Sequence, residues 1–315
     1  MRQKITMNFQ KKASVEERFQ QFLSNCAARG LSEKTIRGYK NHLHCLSKYL
    51  DIATPLSTLT KSAVEMAVAH MRREELSPNS ICSYFRTFKV FLSWCKEEGY
   101  ADITIPAYKP RETIKETYSD EELKKLLEKP ATNCSFCEYR SWIVIQFLLN
   151  SGCRASTIRN IQNRDVDLES RQVLFRHTKT RKVQVIPLCS TLVAHLKDYM
   201  RIRKGEPEDY LFCNEHGEML TENALRLAIV RYNQQRGVKR TSIHMFRHTF
   251  ARKYLLDCGG NAFTLQKLLG HSTLEMTKRY CAIFNADIAN GFDNLSPLEQ
   301  LSAHNARLTM PKKRK

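Results

Sequence analysis

The sequence predicts a mainly α-helical protein of two domains, a helical bundle and a larger domain that combines helices with a small β-sheet. Apolar residues recur at helical spacing through residues 14–108, which favours a bundle. Residues 109–118 are charged, lack a helical period and are expected to form a linker. Helical spacing returns over residues 119–295, interrupted by the alternation of short strands. Residues 1–13 and 296–315 are expected to be tails.

The bundle is expected to contain four helices. Ser14 and Glu17 form a capping-box pattern before the first helix, and Ser32 is the expected cap of the second. The apolar stripe of the second helix has a spacing of three and four residues and consists of Ile36, Tyr39, Leu43, Leu46 and Leu50. A third helix is expected over about residues 61–73. The fourth begins at Pro78, and its buried side is expected to consist of Ile81, Phe85, Phe88, Phe91 and Trp94.

The second domain is expected to open with a helix capped by Ser119 and Glu122. An alternating pattern indicates two short strands joined by a basic turn, with the apolar positions Val173, Phe175, Val183 and Val185. Further helices are expected at about residues 138–151, 190–203, 221–236, 243–257, 262–269 and 274–284.

The composition is strongly basic. Lys and Arg number 51 and Asp and Glu 32, which gives a net charge of +19. Such an excess indicates a polyanionic partner, most simply nucleic acid. A membrane surface fits less well, because the basic residues run along the whole chain instead of gathering on one amphipathic helix. The N-terminus has no apolar stretch typical of a secretory signal, and no apolar run reaches the length of a membrane span.

The cysteines indicate a reducing compartment. Their number, 11, is odd, and several lie in apolar helical stretches, which is typical of buried thiols in a cytoplasmic protein. The CxxC of Cys134 and Cys137 has no second ligand pair nearby, so a metal site stays a minor alternative and no metal or cofactor is expected.

The stretch HMFRHTFA, which begins at His244, concentrates polar chemistry on a predicted helix. His244 and Arg247 are three positions apart and share a face, while Phe246 and Phe250 are expected to point towards a core. Arginine offers a fork of donors suited to phosphate oxygens, and a neighbouring histidine can donate a hydrogen bond or move a proton. By itself the pair is also explained by a solvated helix face. His248 is expected to be structural.

Other polar residues strengthen the functional interpretation. Arg154 follows a glycine-containing turn at a helix end, and Lys179 lies at the tip of the predicted hairpin. Gly270 and His271 form a GH step, with Tyr280 nine residues after the histidine. Each has a structural alternative, as a surface charge, an exposed turn cation, a helix cap or a half-buried aromatic residue.

In chain order these boxes resemble the active site of the tyrosine recombinases, also called the phage integrase family. HMFRHTFA and LLGHSTLEMTKRY are close to the signature boxes of that family. The resemblance covers roughly residues 14–290, and it implies a helical, SAM-like core-binding domain followed by a mixed catalytic domain. The matching positions are Arg154, Lys179, His244, Arg247, Gly270–His271 and Tyr280.

The resemblance implies the chemistry at these positions. Tyr280 would attack a phosphodiester of duplex DNA and form a 3′-phosphotyrosine, while Arg154 and Arg247 would hold the non-bridging oxygens. Lys179, chosen because it lies eight residues before Pro187, would protonate the leaving 5′-oxygen.

The two histidines would assist that reaction. His244 would act as acid and base near the tyrosine, and His271 would donate to the phosphate. Many members have an acidic residue three positions after the first arginine, where this chain has Thr157, so the support of Arg154 is expected to differ.

The resemblance also implies the partners. The substrate would be two double-stranded recombination sites, held by a homo-tetramer or by a hetero-tetramer with a paralogue. The expected DNA-binding residues of the bundle are Lys34, Arg37, Lys40, Arg86 and Lys89. The apolar residues expected to dock on a neighbouring protomer, or within their own domain, are Ile283, Phe284, Ile288 and Phe292.

Several functional alternatives stay open. The chain could be a DNA-binding regulator without catalysis, although all six positions of the pattern are filled. It could be a type IB topoisomerase, although the short helical N-terminal domain favours a recombinase. Among recombinases, a Xer-like resolvase and a compact mobile-element integrase both fit, in a bacterial cytoplasm at the nucleoid. The final PKKRK resembles a nuclear import signal or a basic tail that touches DNA.

Overall fold

The computed structural model describes residues 13–106, 108, 116–178 and 182–281, and of residues 278–281 it describes the backbone alone. The predictions for Lys179, for the apolar positions between residues 283 and 292 and for the basic tail lie outside these residues. The chain divides into two units, residues 1–113 and residues 114–315, which are taken in turn.

The first unit is a four-helix arrangement. Its helices are α1 (Val15–Ala28), α2 (Glu33–Leu46), α3 (Lys61–Arg73) and α4 (Pro78–Glu97). Each begins after a serine or threonine whose side chain accepts a hydrogen bond from a backbone N–H of the first turn: Ser14, Ser32, Thr60 and Ser77. The predicted caps at Ser14 and Ser32 are therefore present.

The core of this unit is rich in aromatic side chains. All five residues predicted for the buried side of α4 are buried: Ile81, Phe85, Phe88, Phe91 and Trp94. Phe91 packs edge-on against Phe19 of α1, with ring centroids 5.1 Å apart. In the stripe predicted for α2, Leu43, Leu46 and Leu50 are buried, but the helix ends at Leu46 and Leu50 lies after it.

The second unit contains eight α-helices in the part of the chain that the structure describes. The first four are α5 (Asp120–Leu127), α6 (Phe136–Ser151), α7 (Ala155–Arg159) and α8 (Ser190–Arg203). The last four are α9 (Glu222–Gln235), α10 (Ile243–Leu256), α11 (Ala262–Leu269) and α12 (Leu274–Cys281). All but the one-turn α7 were predicted, with ends within about three residues, and the end predicted for α12, at residue 284, lies outside the described residues. No helix among the described residues is long and apolar enough to cross a membrane.

The small sheet has three antiparallel strands in the order β1 (Val166–Asp167), β2 (Gln172–Phe175) and β3 (Gln184–Pro187). Two strands were predicted, and β1 is too short for a sequence pattern. In β3 the inward residue is Ile186, which pairs with buried Val173, whereas Val185 lies on the exposed face. Because side chains alternate across a strand, the expected apolar positions Val183 and Val185 both face away from the core.

Helix α6 is the centre of the second core and packs against α5, α8, α9 and α10. Its apolar residues cover nearly its whole circumference, as a helix surrounded by others requires. Tyr118, which the sequence assigned to the linker, is buried in this core, and its ring stacks on Phe246 of α10 with centroids 4.3 Å apart. Its hydroxyl donates to the Ser242 carbonyl, so it anchors the start of α10.

Candidate active site

The turn between α6 and α7 presents Arg154. Helix α6 is capped by Gly152, whose φ of 57° is left-handed, and Arg154 is the extended N-cap residue of α7. A Cβ at residue 152 would lie 2.4 Å from a ring carbon of Phe250, so this position requires glycine. The Arg154 side chain is half-buried, and among the described residues no side chain or backbone group forms a hydrogen bond or ion pair with it. Among the described residues, therefore, no acidic side chain pairs with Arg154.

Arg247 has a different environment. It is only 6% exposed on α10, and its guanidinium donates from Nη1 to the Gly152 carbonyl at 2.8 Å and from Nη2 to the Leu269 carbonyl at 2.9 Å. These carbonyls belong to the C-terminal ends of α6 and α11, where helix dipoles place partial negative charge. The guanidinium is thus held in a fixed orientation by two helix ends.

His271 completes the environment of Arg247. It follows Gly270, the left-handed cap of α11, and its Nε2 lies 2.8 Å from Nη2 of Arg247. Because a guanidinium can only donate, Nε2 must accept, and the proton of the neutral ring is on Nδ1. Nδ1 in turn donates to the Thr277 hydroxyl at 2.8 Å. Burial, with the charges of Arg247 and Arg154, lowers the pKa of His271 to about 4.

His244 lies on the exposed side of α10, one turn before Arg247. Partial removal of its ring from water lowers its pKa, and the charges of Arg247 and Arg154 lower it further. Arg247 and Arg154 therefore lower the pKa of both histidines, His244 and His271.

Arg154 and Arg247 line the same small cavity, together with Thr157, Gln184 and Gly270. The Gln184 amide reaches from β3 to the end of α11, where Nε2 donates to the carbonyls of Lys267 and Leu268. Thr157, which occupies the position expected to be acidic in relatives, is buried beside Arg154. The cavity is therefore lined by two arginines, together with a residue of the sheet and residues at the end of α11.

The structure places four of the six catalytic residues that the sequence selected near one another. Arg154 and Arg247 line one cavity, His271 contacts Arg247, and His244 lies one turn before Arg247 on α10. Lys179 lies outside the described residues. Tyr280 is placed only through its helical backbone in α12. Donation from His271 to a phosphate stays a prediction, and in this structure its Nε2 accepts from Arg247.

Sequence reasoning missed the residues that support the site. Gln184 is a polar residue at the start of a strand, and Thr277 is a threonine within a helix, so neither stands out by composition. Thr277 lies three positions before Tyr280, which is the one signal that could have drawn attention to it.

The CxxC cysteines, Cys134 and Cys137, are half-buried free thiols. No group of three or more His, Cys, Asp or Glu side chains in that part of the chain is arranged to hold an ion. Cys137 instead donates a hydrogen bond to the Glu215 carboxylate at 3.3 Å.

The basic residues selected in the bundle all lie at its surface. Helices α2 and α4, which carry them, pack against each other. The selected basic residues, all of them exposed, are Lys34, Arg37, Lys40, Arg86 and Lys89. A charged surface over an apolar core is suited to contact with a polyanion.

Comparison with known proteins places both units. The phage integrase family matches residues 116–286, and the N-terminal SAM-like domain of phage integrases matches residues 17–99. The tyrosine recombinase XerC of Shewanella amazonensis is 26% identical over 292 residues, which cover 90% of this chain and 96% of the relative. The tyrosine recombinase XerD of Listeria innocua is 25% identical over 285 residues, covering 85% and 94%.

Solved structures agree on the fold. A Tn1549 transposon integrase in complex with transposon right end DNA has a TM-score of 0.73 at 19% identity, covering 90% of this chain and 99% of that one. A lambda integrase dimer bound to a COC′ core site has a TM-score of 0.68 at 18% identity, covering 84% and 97%. Because the integrase match extends over more than half of the chain, and the SAM-like match over the preceding domain, this chain belongs to the phage integrase family and is a tyrosine-type site-specific DNA recombinase.

Proposed function

We propose that this recombinase cleaves and rejoins duplex DNA through a 3′-phosphotyrosine formed by Tyr280. The observation that carries the proposal is the pair of arginines at one cavity, with Arg247 fixed by helix-end carbonyls and Arg154 left without a hydrogen-bonding partner among the described residues. Two guanidinium groups at one small cavity are suited to a single phosphodiester. Negative charge builds on its non-bridging oxygens during the attack, and preorganised donors stabilise it.

The reaction conserves the energy of the broken bond. The Tyr280 phenolate oxygen attacks phosphorus, the P–O5′ bond breaks, and the 5′-oxygen leaves with a proton that we assign to Lys179. In the second step the 5′-hydroxyl of another strand attacks the phosphotyrosine and releases the phenol. No external energy source is required, because each step exchanges one phosphate ester for another.

The proton of the attacking phenol is assigned to His244. A lowered pKa keeps this imidazole neutral near pH 7, so that it can accept a proton. Its position one turn before Arg247 on α10 places it next to the group that binds the phosphate. His271 is assigned to orient Arg247, through the hydrogen bond from the guanidinium to Nε2.

We propose that the bundle and the catalytic unit both contact DNA. The five exposed basic residues of α2 and α4 would contact the backbone or the major groove, and the net charge of +19 predicts steep salt dependence. A lambda integrase is known as a tetramer bound to a Holliday junction, and we propose four subunits on two DNA segments here, of one chain or of two paralogues. Such an enzyme would act in the bacterial cytoplasm, at the nucleoid.

The biological role is proposed as either Xer-like resolution or the movement of a compact mobile element. XerC and XerD relatives match at nearly equal identity, 26% and 25%, and the Tn1549 integrase has the higher of the two TM-scores given above. These likenesses support both roles equally.

Covalent capture tests the proposal. The purified chain is incubated with a library of nicked duplexes whose sequences are randomised, so that cleavage next to the nick releases a short strand and traps the enzyme. We expect denaturant-resistant adducts on the 3′-phosphate side with the wild type and none with Tyr280→Phe. Sequencing the trapped DNA, and the DNA joined in complete reactions, gives the site and the type of reaction.

Other outcomes would contradict the proposal. DNA binding without an adduct on any library member would indicate a regulator without catalysis. Relaxation of supercoiled DNA without joining of two sites would indicate topoisomerase activity.

A further inference from the structure

We infer that Thr277 is a positioning residue of the recombinase: through His271 it fixes the orientation of Arg247, and it connects that arginine to the helix carrying Tyr280. This inference rests on the proposed function, because it concerns the same reaction. Thr277 is not expected to touch DNA or the reacting atoms.

The hydrogen bonds form a short chain. The Thr277 side chain is fully buried, and its Oγ1 lies 2.8 Å from Nδ1 of His271. On the other edge of the same ring, Nε2 lies 2.8 Å from Nη2 of Arg247. Both bonds are inside the protein, where water does not compete for the donors and acceptors. These hydrogen bonds join the first half of α12 to the first half of α10.

The direction of each bond follows from the chemistry of its groups. Arg247 can only donate, so Nε2 of His271 is bare and Nδ1 carries the proton. Oγ1 of Thr277 must then accept a hydrogen bond from Nδ1. This is the one arrangement in which both ring nitrogens have a hydrogen-bonding partner. Without the hydroxyl, the ring could move its proton to Nε2, where an N–H would face the N–H groups of Arg247.

The consequence reaches two parts of the proposed active site. A turned imidazole would no longer accept from Arg247, and the guanidinium would lose one of its three contacts with described groups. Thr277 also lies one helical turn before residue 280 in α12, which packs on α10 and α11. Anchoring a helix at one position fixes its rotation at the position three residues later.

A packing role would predict something different. Threonine and valine have nearly the same shape, so Thr277→Val removes the hydroxyl and keeps the volume. Thr277→Ser removes a methyl group and keeps the hydroxyl. The positioning role requires Ser to behave like the wild type and Val to fail, whereas a packing role requires the reverse.

The first measurement reads the histidine directly. The full chain, labelled with ¹⁵N-histidine, is studied by long-range ¹H–¹⁵N NMR near pH 7.5, with His271→Gln to assign the signal. We expect the Nδ1–H form of His271 in the wild type and in Thr277→Ser. Thr277→Val should shift the ring towards the Nε2–H form. An unchanged Nδ1–H form in Thr277→Val would overturn the inference.

The second measurement is single-turnover formation of the covalent adduct at saturating DNA. We expect Thr277→Val to slow it about 10- to 100-fold, with an unchanged Kd for DNA, because small misplacements of catalytic groups cost this much. Thr277→Ser should stay within about threefold of the wild type. A change in Kd alone, or equal loss in both variants, would overturn the inference.

The bundle offers a matched control. Thr87 is buried on α4, and its Oγ1 lies 2.7 Å from Nδ1 of His42, so Thr87→Val removes the same kind of bond elsewhere. Its rate at saturating DNA should equal that of the wild type, and a loss equal to that of Thr277→Val would overturn the inference. If the wild type itself forms no adduct, the proposed function fails and the positioning role with it, while the NMR result still shows whether the hydrogen-bond chain exists.

Discussion

The two units of the molecule differ in what they bury. In the described part of the first unit, the one buried polar residue is Thr87, within a core of aliphatic and aromatic side chains. The second unit buries many polar residues within its described part: Arg140, Ser141, Ser151, Thr157, Asn163, Asp165, Asn233, Arg247, Thr249, His271 and Thr277. Three of these, Arg247, His271 and Thr277, form the hydrogen-bond chain at the candidate active site.

This difference separates two ways of making a binding surface. An apolar core stabilises the bundle through the area that it removes from water, and charges can be changed on its surface at little cost. A buried polar group must keep its partners, because an unsatisfied donor or acceptor costs more than the bond contributes. The catalytic unit therefore gains fixed orientations for its cationic groups, and in return it tolerates fewer substitutions.

The largest effect is expected from Arg247→Met. The adduct-forming step should slow by roughly 10²–10³-fold, because a preorganised donor to the phosphate is lost. The free energy of unfolding should also fall by about 1–3 kcal/mol, because the carbonyls of Gly152 and Leu269 lose a buried donor. Single-turnover kinetics and urea unfolding measure the two quantities.

Arg154→Met is the matched comparison. Its rate should fall by a similar factor of roughly 10²–10³. The free energy of unfolding should change by less than about 0.5 kcal/mol, because the Arg154 side chain has no hydrogen bond to a described residue. Equal destabilisation by both substitutions would contradict the difference that the structure shows between the two arginines.

The same contrast decides what the sequence could predict. In the bundle, buried residues recur with the helical period, and the predicted third helix has the bounds of α3, Lys61–Arg73. Helix α7 and strand β1 were missed because five and two residues carry no period.

For the candidate site, the side chains of Arg154, His244, Arg247 and His271 were selected through the family resemblance, and the structure brings them together. Their surroundings were not predictable. The acceptors of Arg247 are backbone carbonyls, which every residue possesses, and His271 becomes an acceptor only because an arginine lies beside it.

Glycines at helix ends extend the comparison of the two units to the stability cost of adding a side chain. Gly152 and Gly99 both have left-handed φ angles, 57° and 73°, but a Cβ at Gly99 would meet nothing within 4 Å. Gly152→Ala should lower the free energy of unfolding by about 2–5 kcal/mol, from backbone strain plus the contact with Phe250. Gly99→Ala should cost only the strain, about 1–2 kcal/mol. Thermal and urea unfolding of both variants test this, and equal losses would contradict the crowding seen at Gly152.

The pH dependence of stability compares two histidines that each bond a threonine. The pKa of His271 falls from its ordinary 6.5 to about 4 in the folded chain, so above pH 6.5 the ring is neutral in both states and its contribution is complete. Below pH 6.5 the ring takes up a proton in the unfolded chain but not yet in the folded chain. The free energy of unfolding therefore falls progressively down to about pH 4. The loss should reach up to about 3 kcal/mol.

Substitution separates the two rings. His271→Asn should flatten the loss of stability between pH 6.5 and 4, as measured by urea unfolding at several pH values. His42→Asn should leave most of the loss in place, because burial alone lowers the pKa of His42 and no arginine contributes. If His42→Asn reduced the loss of stability between pH 6.5 and 4 more than His271→Asn does, the role given to the arginines would be contradicted.

The smallest effect on stability is expected at the surface of the bundle. Lys89→Ala removes an exposed charge of α4, so the free energy of unfolding should change by less than about 0.5 kcal/mol. If Lys89 contacts a phosphate, DNA affinity should fall to a similar degree for all sequences, and the slope of log K against log salt should decrease by about 1. Fluorescence anisotropy at several salt concentrations measures both. An unchanged slope would remove Lys89 from the proposed DNA surface, whereas a loss confined to one sequence would make it a base-reading residue.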